Sequence, residues 1–272
     1  MRAATVIDAS GIQSHSHFTE YASYRSLFWF LVLRDLRLRY RQTVLGVAWA
    51  VLQPLLPMVI VTLIFSRVLS PRTGSLPYWL FALAGFAPWN FFATAVTSSA
   101  LTFVNNRNLL AKVYFPRAIL PTAAAAGCLL DWLISTSVTL VLILIRDFRP
   151  RASWLLLPVV LAAGFCVAAS VGLGMASLIA LYRDFRHMLP FMVQVGMYAT
   201  PIVYPMSLAP RRLQLAIALN PMAGVVEAFR SCLFSTAPDW TVIALSSATG
   251  ALIVAVALTV FFKVDADLAE KT

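Results

Sequence analysis

The chain has 272 residues, of which 60% are hydrophobic and 12% charged, and its 21 Lys+Arg against 11 Asp+Glu give a net charge of +10. Soluble domains carry about 25% charged residues, so this composition cannot cover a soluble surface and excludes a soluble globular domain. It points instead to an all-α polytopic membrane protein with six transmembrane helices.

The cations lie in short segments between apolar runs. That distribution fits anionic lipid headgroups and argues against nucleic acid as a partner. Three cysteines, two of them (Cys128 and Cys166) inside apolar runs, offer neither a disulfide framework nor a metal cluster. The first 43 residues carry no signal-peptide pattern, so the first apolar run is expected to remain as an anchor.

In chain order, 1–24 reads as a cytoplasmic tail and 25–43 as an amphipathic interface helix. Within it Trp29, Leu33, Leu36 and Tyr40 recur at helical spacing as one apolar stripe. Arg34, Arg37 and Arg41 recur on another face, and Asp35 is placed to pair with Arg39 at i,i+4. Such a helix lies in the membrane plane, where its cations serve either as a positive-inside anchor or as a docking face for anionic, lipid-linked cargo.

A single transmembrane domain follows over 44–262. A span needs about 20 apolar residues, and those at 44–66, 77–104, 118–145, 152–182, 187–205 and 240–262 qualify. The fourth would measure about 46 Å as straight helix. It must therefore tilt, protrude or bend, with Pro158 and the Gly172-x-Gly174 pair as the expected places. Between the last two spans, 206–235 holds an apolar stretch too short to cross. With Pro201, Pro205, Pro210 and Pro221 around it, it reads as a broken, re-entrant helical pair, two further crossings being the alternative. The 263–272 segment reads as a C-terminal tail. Lys+Arg number 13 in the segments on the N-terminal side and 8 opposite, which places both termini in the cytoplasm.

No Gly is followed by Lys, so no phosphate-binding loop of the G-x-x-x-x-G-K-[ST] kind is present, and the three histidines do not cluster. No pair of intramembrane acids stands ready for catalysis. Asp131, nearly alone at bilayer depth, either bonds to neighbouring helices or an adjoining Arg, or has a transport role. Aromatic residues are the positive signal. Trp49, Phe86, Trp89, Phe92, Tyr198 and Tyr204 can pack, anchor, or line a path for flat sugar rings.

With these residues in view the chain closely resembles the permease subunit of type-2 ABC transporters that export polysaccharides such as O-antigens, capsules and teichoic acids. The resemblance runs through Leu33-Arg34-Asp35-Leu36, Arg39-Tyr40-Arg41-Gln42-Thr43-Val44-Leu45-Gly46 and Gln53-Pro54. It returns in Gly85-Phe86-Ala87-Pro88-Trp89-Asn90-Phe91-Phe92 and in Asn108-Leu109-Leu110-Ala111-Lys112-Val113-Tyr114-Phe115-Pro116-Arg117. Tyr182-Arg183-Asp184-Phe185-Arg186, Thr200-Pro201-Ile202-Val203-Tyr204-Pro205 and Asn220-Pro221-Met222-Ala223-Gly224 complete it.

The resemblance implies a homodimer enclosing a channel, two copies of a separate ABC ATPase, and a lipid-linked polysaccharide cargo in a bacterial cytoplasmic (inner) membrane. It implies no cofactor on this chain, ATP and Mg being used by the partner, and hence a transporter subunit and not an enzyme. Arg107, Lys112, Tyr114, Phe115 and Arg117 would form the main coupling loop, with Tyr114 and Phe115 as an apolar knob for the ATPase. Arg183 and Asp184 would form the second contact, and 200–235 the outer gate. A small-molecule or lipid permease of the same type is the alternative, and a membrane-bound glycosyl or phosphoalcohol transferase a more distant one.

Overall fold

The computed structural model describes residues 24–41, 46, 48–69, 76–112, 115–146 and 151–270, and among them every regular element is helical. Eleven α-helices are described: α1 (Arg25–Tyr40), α2 (Ala48–Leu69), α3 (Tyr78–Ala100), α4 (Thr102–Asn105), α5 (Arg107–Lys112), α6 (Ile119–Ile145), α7 (Leu157–Leu181), α8 (Phe185–Ala199), α9 (Arg211–Ala218), α10 (Pro221–Phe234) and α11 (Trp240–Glu270). Short 3₁₀ segments at Ala152–Leu156 and Met206–Leu208 precede α7 and α9. The expected tail 1–24 falls almost wholly outside the described residues, as do 42–45 and Tyr114.

Among the described residues five helical segments are long and apolar enough to cross a membrane: α2, α3, α6, the Ala152–Leu181 run ending in α7, and α11. Packing fixes their relative directions. Gly174 faces Ala257, and seven residues earlier on both helices Val167 faces Gly250. α7 and α11 therefore run parallel, and the chain must return to the starting face between them. α8 makes that return with 15 residues, about 22 Å of helix. The span expected over 187–205 is thus helical only to Ala199. Pro201 pushes the residue before it out of the helical region, and Thr200 is extended at φ −100°, ψ 137°.

The helix is not broken at Gly172-x-Gly174: α7 is continuous from Leu157 to Leu181, with Pro158 in its first turn, where a missing N–H costs nothing. The two glycines are packing sites instead: a β-carbon on Gly172 would stand 2.5 Å from the Ser99 side chain of α3. At the end of the chain, α11 continues through Glu270, so most of the expected tail is helix.

α3 is the buried centre, flanked by α2, α6, α7 and α10. An aromatic column crosses the core beside it. The Phe91 and Trp132 rings stack at 4.6 Å and 18°, and Phe229 lies 5.9 Å beyond Trp132. Gly164 admits this column, since a β-carbon there would meet the Trp132 ring at 2.6 Å. The end of the bundle carrying the start of α1, the α3–α6 connection and the α7–α8 turn is called the lower face below. The opposite end, carrying α9 and α10, is the gate face.

Candidate translocation groove and gate

On the gate side of the bundle an open groove of about 810 Å³ runs between α2, α3 and the end of α8. Its walls are apolar (Leu56, Ile60 and Phe65 from α2), with Phe86 and Asn90 from α3 and Tyr198 and Tyr204 at the rim. Rings with few directed polar groups can hold sugar faces without fixing a register. Three of the six expected path aromatics, Phe86, Tyr198 and Tyr204, therefore line this groove, with Tyr198 67% exposed. Trp89 is absent from the lining, pressed against Gly196 of α8 and tilted onto Phe92 at 5.2 Å, although it and the lining residue Phe86 are equally buried at 3% exposure. Trp49 is exposed near the start of α2, away from the groove lining. Helix rotation separates the two sets, and residue type does not reveal it.

The segment expected to act as a gate is a pair of helices, α9 and α10, bent by 100°. Pro221 at the start of α10 and the Asn220 cap, whose side chain accepts from Met222 N–H at 3.0 Å, set the second helix. The tip is fastened from two sides. Asn220 Nδ2 donates to Thr200 Oγ1 at 2.8 Å, and Ser246 Oγ of α11 donates to the Ala218 carbonyl at 2.7 Å. Gly224 makes room, since a β-carbon there would stand 2.5 Å from Ser246 Cβ. The last carbonyls of α10 are capped by the segment before α7: Ser153 Oγ donates to Cys232 O at 2.7 Å, Trp154 Nε1 to Leu233 O at 3.0 Å, and Arg151 to Phe234 O. The expected re-entrant reading of 206–235 matches this geometry, both ends of the pair lying at the gate face.

Arg230 holds the gate to the bundle, and sequence reasoning missed it by counting it among the loop cations. Its side chain is 5% exposed. The guanidinium donates to the Pro201 carbonyl at 2.6 Å, the Ile202 carbonyl at 2.5 Å and the Phe81 carbonyl at 3.2 and 3.3 Å, and it lies 3.6 Å above the Phe81 ring. A buried cation is tolerated only when its donors are satisfied. Here the extended backbone around Pro201 supplies the acceptors that a helix would have used internally.

At the lower face α1 packs along the first half of α6. Leu31 and Val32 are buried against Ile119, Leu120 and Ala123, whereas Trp29 and Leu33 of the expected apolar stripe are exposed. The expected Asp35–Arg39 pair does not form. Asp35 pairs with its neighbour Arg34 at 2.8 Å, while Arg39 reaches Asp131 at 2.5 Å, and Tyr40 donates to the same carboxylate. Asp131 thus meets an Arg of an adjoining segment, the first of its expected accounts. Burial, reinforced by the Asp131 hydrogen bond and charge, pushes the Tyr40 phenol above its ordinary range, so it remains a donor. Arg37 and Arg41 are exposed.

Phe115, expected as a partner-facing knob, is 4% exposed and packed into the α1–α6 cluster. An aromatic ring followed by Pro116 at the entry to α6 is better shielded by α1 than left in water. Arg117 pairs with Asp265 of α11 at 3.2 Å, tying the loop to the last helix. Lys112, Arg183 and Asp184 are exposed, and Arg107 and Arg183 line one small cavity. Among the described residues no group of three His, Cys, Asp or Glu is placed to hold a metal.

Residues 26–234 match the family model described as ABC-2 type transporter. An "O-antigen export system permease protein RfbA" of Myxococcus xanthus is 30% identical over 217 residues, 79% of this chain and 83% of that protein. A protein of the same name from Klebsiella pneumoniae is 27% identical over 238 residues, covering 87% and 91%. The "Polysialic acid transport protein KpsM" of Escherichia coli is 25% identical over 209 residues, covering 75% and 79%. A bundle of membrane-crossing helices with a bent helix pair before the last span agrees with these matches. This chain belongs to the ABC-2 type transporter family, as a membrane-spanning component.

Proposed function

We propose that the chain is the channel-forming subunit of an ATP-driven exporter that moves a lipid-linked polysaccharide across the bacterial cytoplasmic membrane. Two copies face each other across the open groove, two ABC ATPase subunits bind the lower face, and both termini lie in the cytoplasm. Supporting this reading is a groove open along one side, apolar and rimmed by Tyr198 and Tyr204; a second copy would complete it as a conduit. The names of the relatives supply the cargo class. The lipid's phosphate end is held by cations at the lower face, the glycan threads the groove, and the Arg230 latch yields as the chain leaves. ATP with Mg is consumed by the partner, whose movement reaches this chain through the α3–α6 connection and the α7–α8 turn.

Deleting the gene in its host, with complementation, tests the reading. Surface glycan is expected to vanish and lipid-linked glycan to accumulate in the inner leaflet. Unchanged surface glycan with lost efflux of a small amphiphile would replace this reading with a drug or lipid permease.

A further inference from the structure

Four cationic or basic side chains from two separate segments meet at the lower face. Arg107 at the start of α5 and Arg183, Arg186 and His187 of the α7–α8 turn line one cavity of about 260 Å³, floored by Val104 and Ile179. No carboxylate lines it, and the adjoining Asp184 is exposed outside the lining. Among the described residues none of the four side chains has an ion-pair or hydrogen-bond partner. The contrast with α1 is direct. There a polar recess of about 390 Å³ also holds two guanidinium groups, but each already has its own acid, Arg34 with Asp35 and Arg39 with Asp131. That recess is close to neutral, whereas the cavity at the α7–α8 turn is not.

Gathering like charges on one cavity raises the free energy of the empty site and lowers it again when an anion enters. Guanidinium groups suit phosphate oxygens in particular, because their planar fork donates two parallel hydrogen bonds. The surroundings say which phosphate. Leu181, Tyr182, Met188 and Phe191, on either side of the cationic residues in the chain, are exposed at 41%, 60%, 48% and 66%. Exposed apolar side chains flanking the cationic residues, at the end of α7 and the start of α8, fit a ligand that carries its phosphate on a hydrocarbon chain.

We propose that Arg107, Arg183, Arg186 and His187 bind the phosphate end of a lipid, and that this lipid is the carrier of the cargo. The identification of the carrier rests on the function proposed above. Because the cavity joins the two segments expected to meet the ATPase, the bound phosphate bridges them, and occupancy of the cargo site is sensed where the motor contacts the chain. The interface helix then serves for packing and topology, and phosphate recognition lies at the turn.

The test uses the full chain in nanodiscs of zwitterionic lipid, with a radiolabelled long-chain polyprenyl diphosphate as probe. The parent is expected to retain the probe. Arg183→Gln with Arg186→Gln, and separately Arg107→Gln, should weaken retention at least tenfold, and Arg→Lys variants at the same positions should fall between. Correct insertion and an unchanged melting temperature in the Lys variants separate this from misfolding. Excess phosphatidylglycerol should compete weakly, and inorganic phosphate not at all. Parent-like retention by all the Gln variants would overturn the proposal. So would equal competition by inorganic phosphate, which would mark a free-anion site, or by phosphatidylglycerol, which would mark a general anionic-lipid patch. Glycan export by the parent in cells is scored separately. Export with unaffected Gln variants defeats this site alone, whereas absence of export by the parent defeats the functional reading.

Discussion

A β-carbon on Gly85 would stand 2.5 Å from Nη2 of Arg230. The glycine in α3 is the space into which the Arg230 guanidinium fits, so a side chain at that position would compete with the contacts that hold α10 to the bundle. Gly85→Ala is expected to displace the guanidinium from the Pro201 and Ile202 carbonyls at a cost of about 1–3 kcal/mol, as for other overpacked sites. The check is labelling of a cysteine placed at Val203 by a membrane-impermeant maleimide added from the gate face. The labelling rate should rise severalfold over a Gly85 control. An unchanged rate would mean that Arg230 does not hold the gate.

The Arg39–Asp131 pair should behave as a partly buried ion pair. Asp131→Leu alone leaves a guanidinium without its acid and should cost about 2–3 kcal/mol, somewhat below the range for fully buried pairs because both side chains retain some exposure. Asp131→Leu with Arg39→Met should recover most of that loss. Thermal unfolding in detergent, read as a double-mutant cycle, checks it. Equal destabilisation by the single and double variants would contradict the pairing.

How much of this was legible beforehand depended on whether the signal was periodic. Long apolar runs announced α2, α3, α6, α7 and α11, and prolines announced the broken gate. Three features lay outside such patterns. Arg230 carries a charge in a segment too short to cross, so the count by loops treated it as solvated, although extended backbone at Pro201 and Ile202 accepts its hydrogen bonds. Phe115 sits in a basic loop, and only the packing of α1 against α6 buries it. The Trp132 column depends on helix rotation and on Gly164, neither of which composition reveals. Of the path aromatics, Trp89 and Tyr198 belong to the same class by residue type. They differ only because one faces Gly196 and the other faces the groove.

On the interface helix, Arg37 and Arg41 are exposed, whereas Arg39 is engaged with Asp131. Lys at 37 and 41 should be tolerated, since topology counts Lys and Arg alike. Arg39→Lys should lower stability by about 1 kcal/mol or more, because an ammonium cannot make the same contacts to the carboxylate and to Cys128 Sγ together. Reporter fusions for topology and thermal unfolding for stability check the two halves. Strong loss of insertion in Arg37→Lys or Arg41→Lys would contradict this division of roles.

The cap on α10 offers a second handle on the gate. Ser153→Ala with Trp154→Phe removes two donors from the Cys232 and Leu233 carbonyls. At about 1 kcal/mol for each hydrogen bond, amide exchange at the end of α10 should accelerate roughly tenfold or more while the core column at Trp132 stays protected. Uniform acceleration across the bundle would show that the cap stabilises the whole fold and not the gate.

The central claim, that glycan passes along the groove between α2, α3 and the end of α8, is tested most directly by site-specific photocrosslinking in cells during export. A photoreactive amino acid at Tyr198 should capture glycan, and one at Trp132, buried at 1% exposure, should not. Capture at Tyr198 that rises when export is stalled by a hydrolysis-deficient partner ATPase is the result this account predicts. Absence of glycan at Tyr198 in cells that export normally, with capture elsewhere on the bundle, would contradict it.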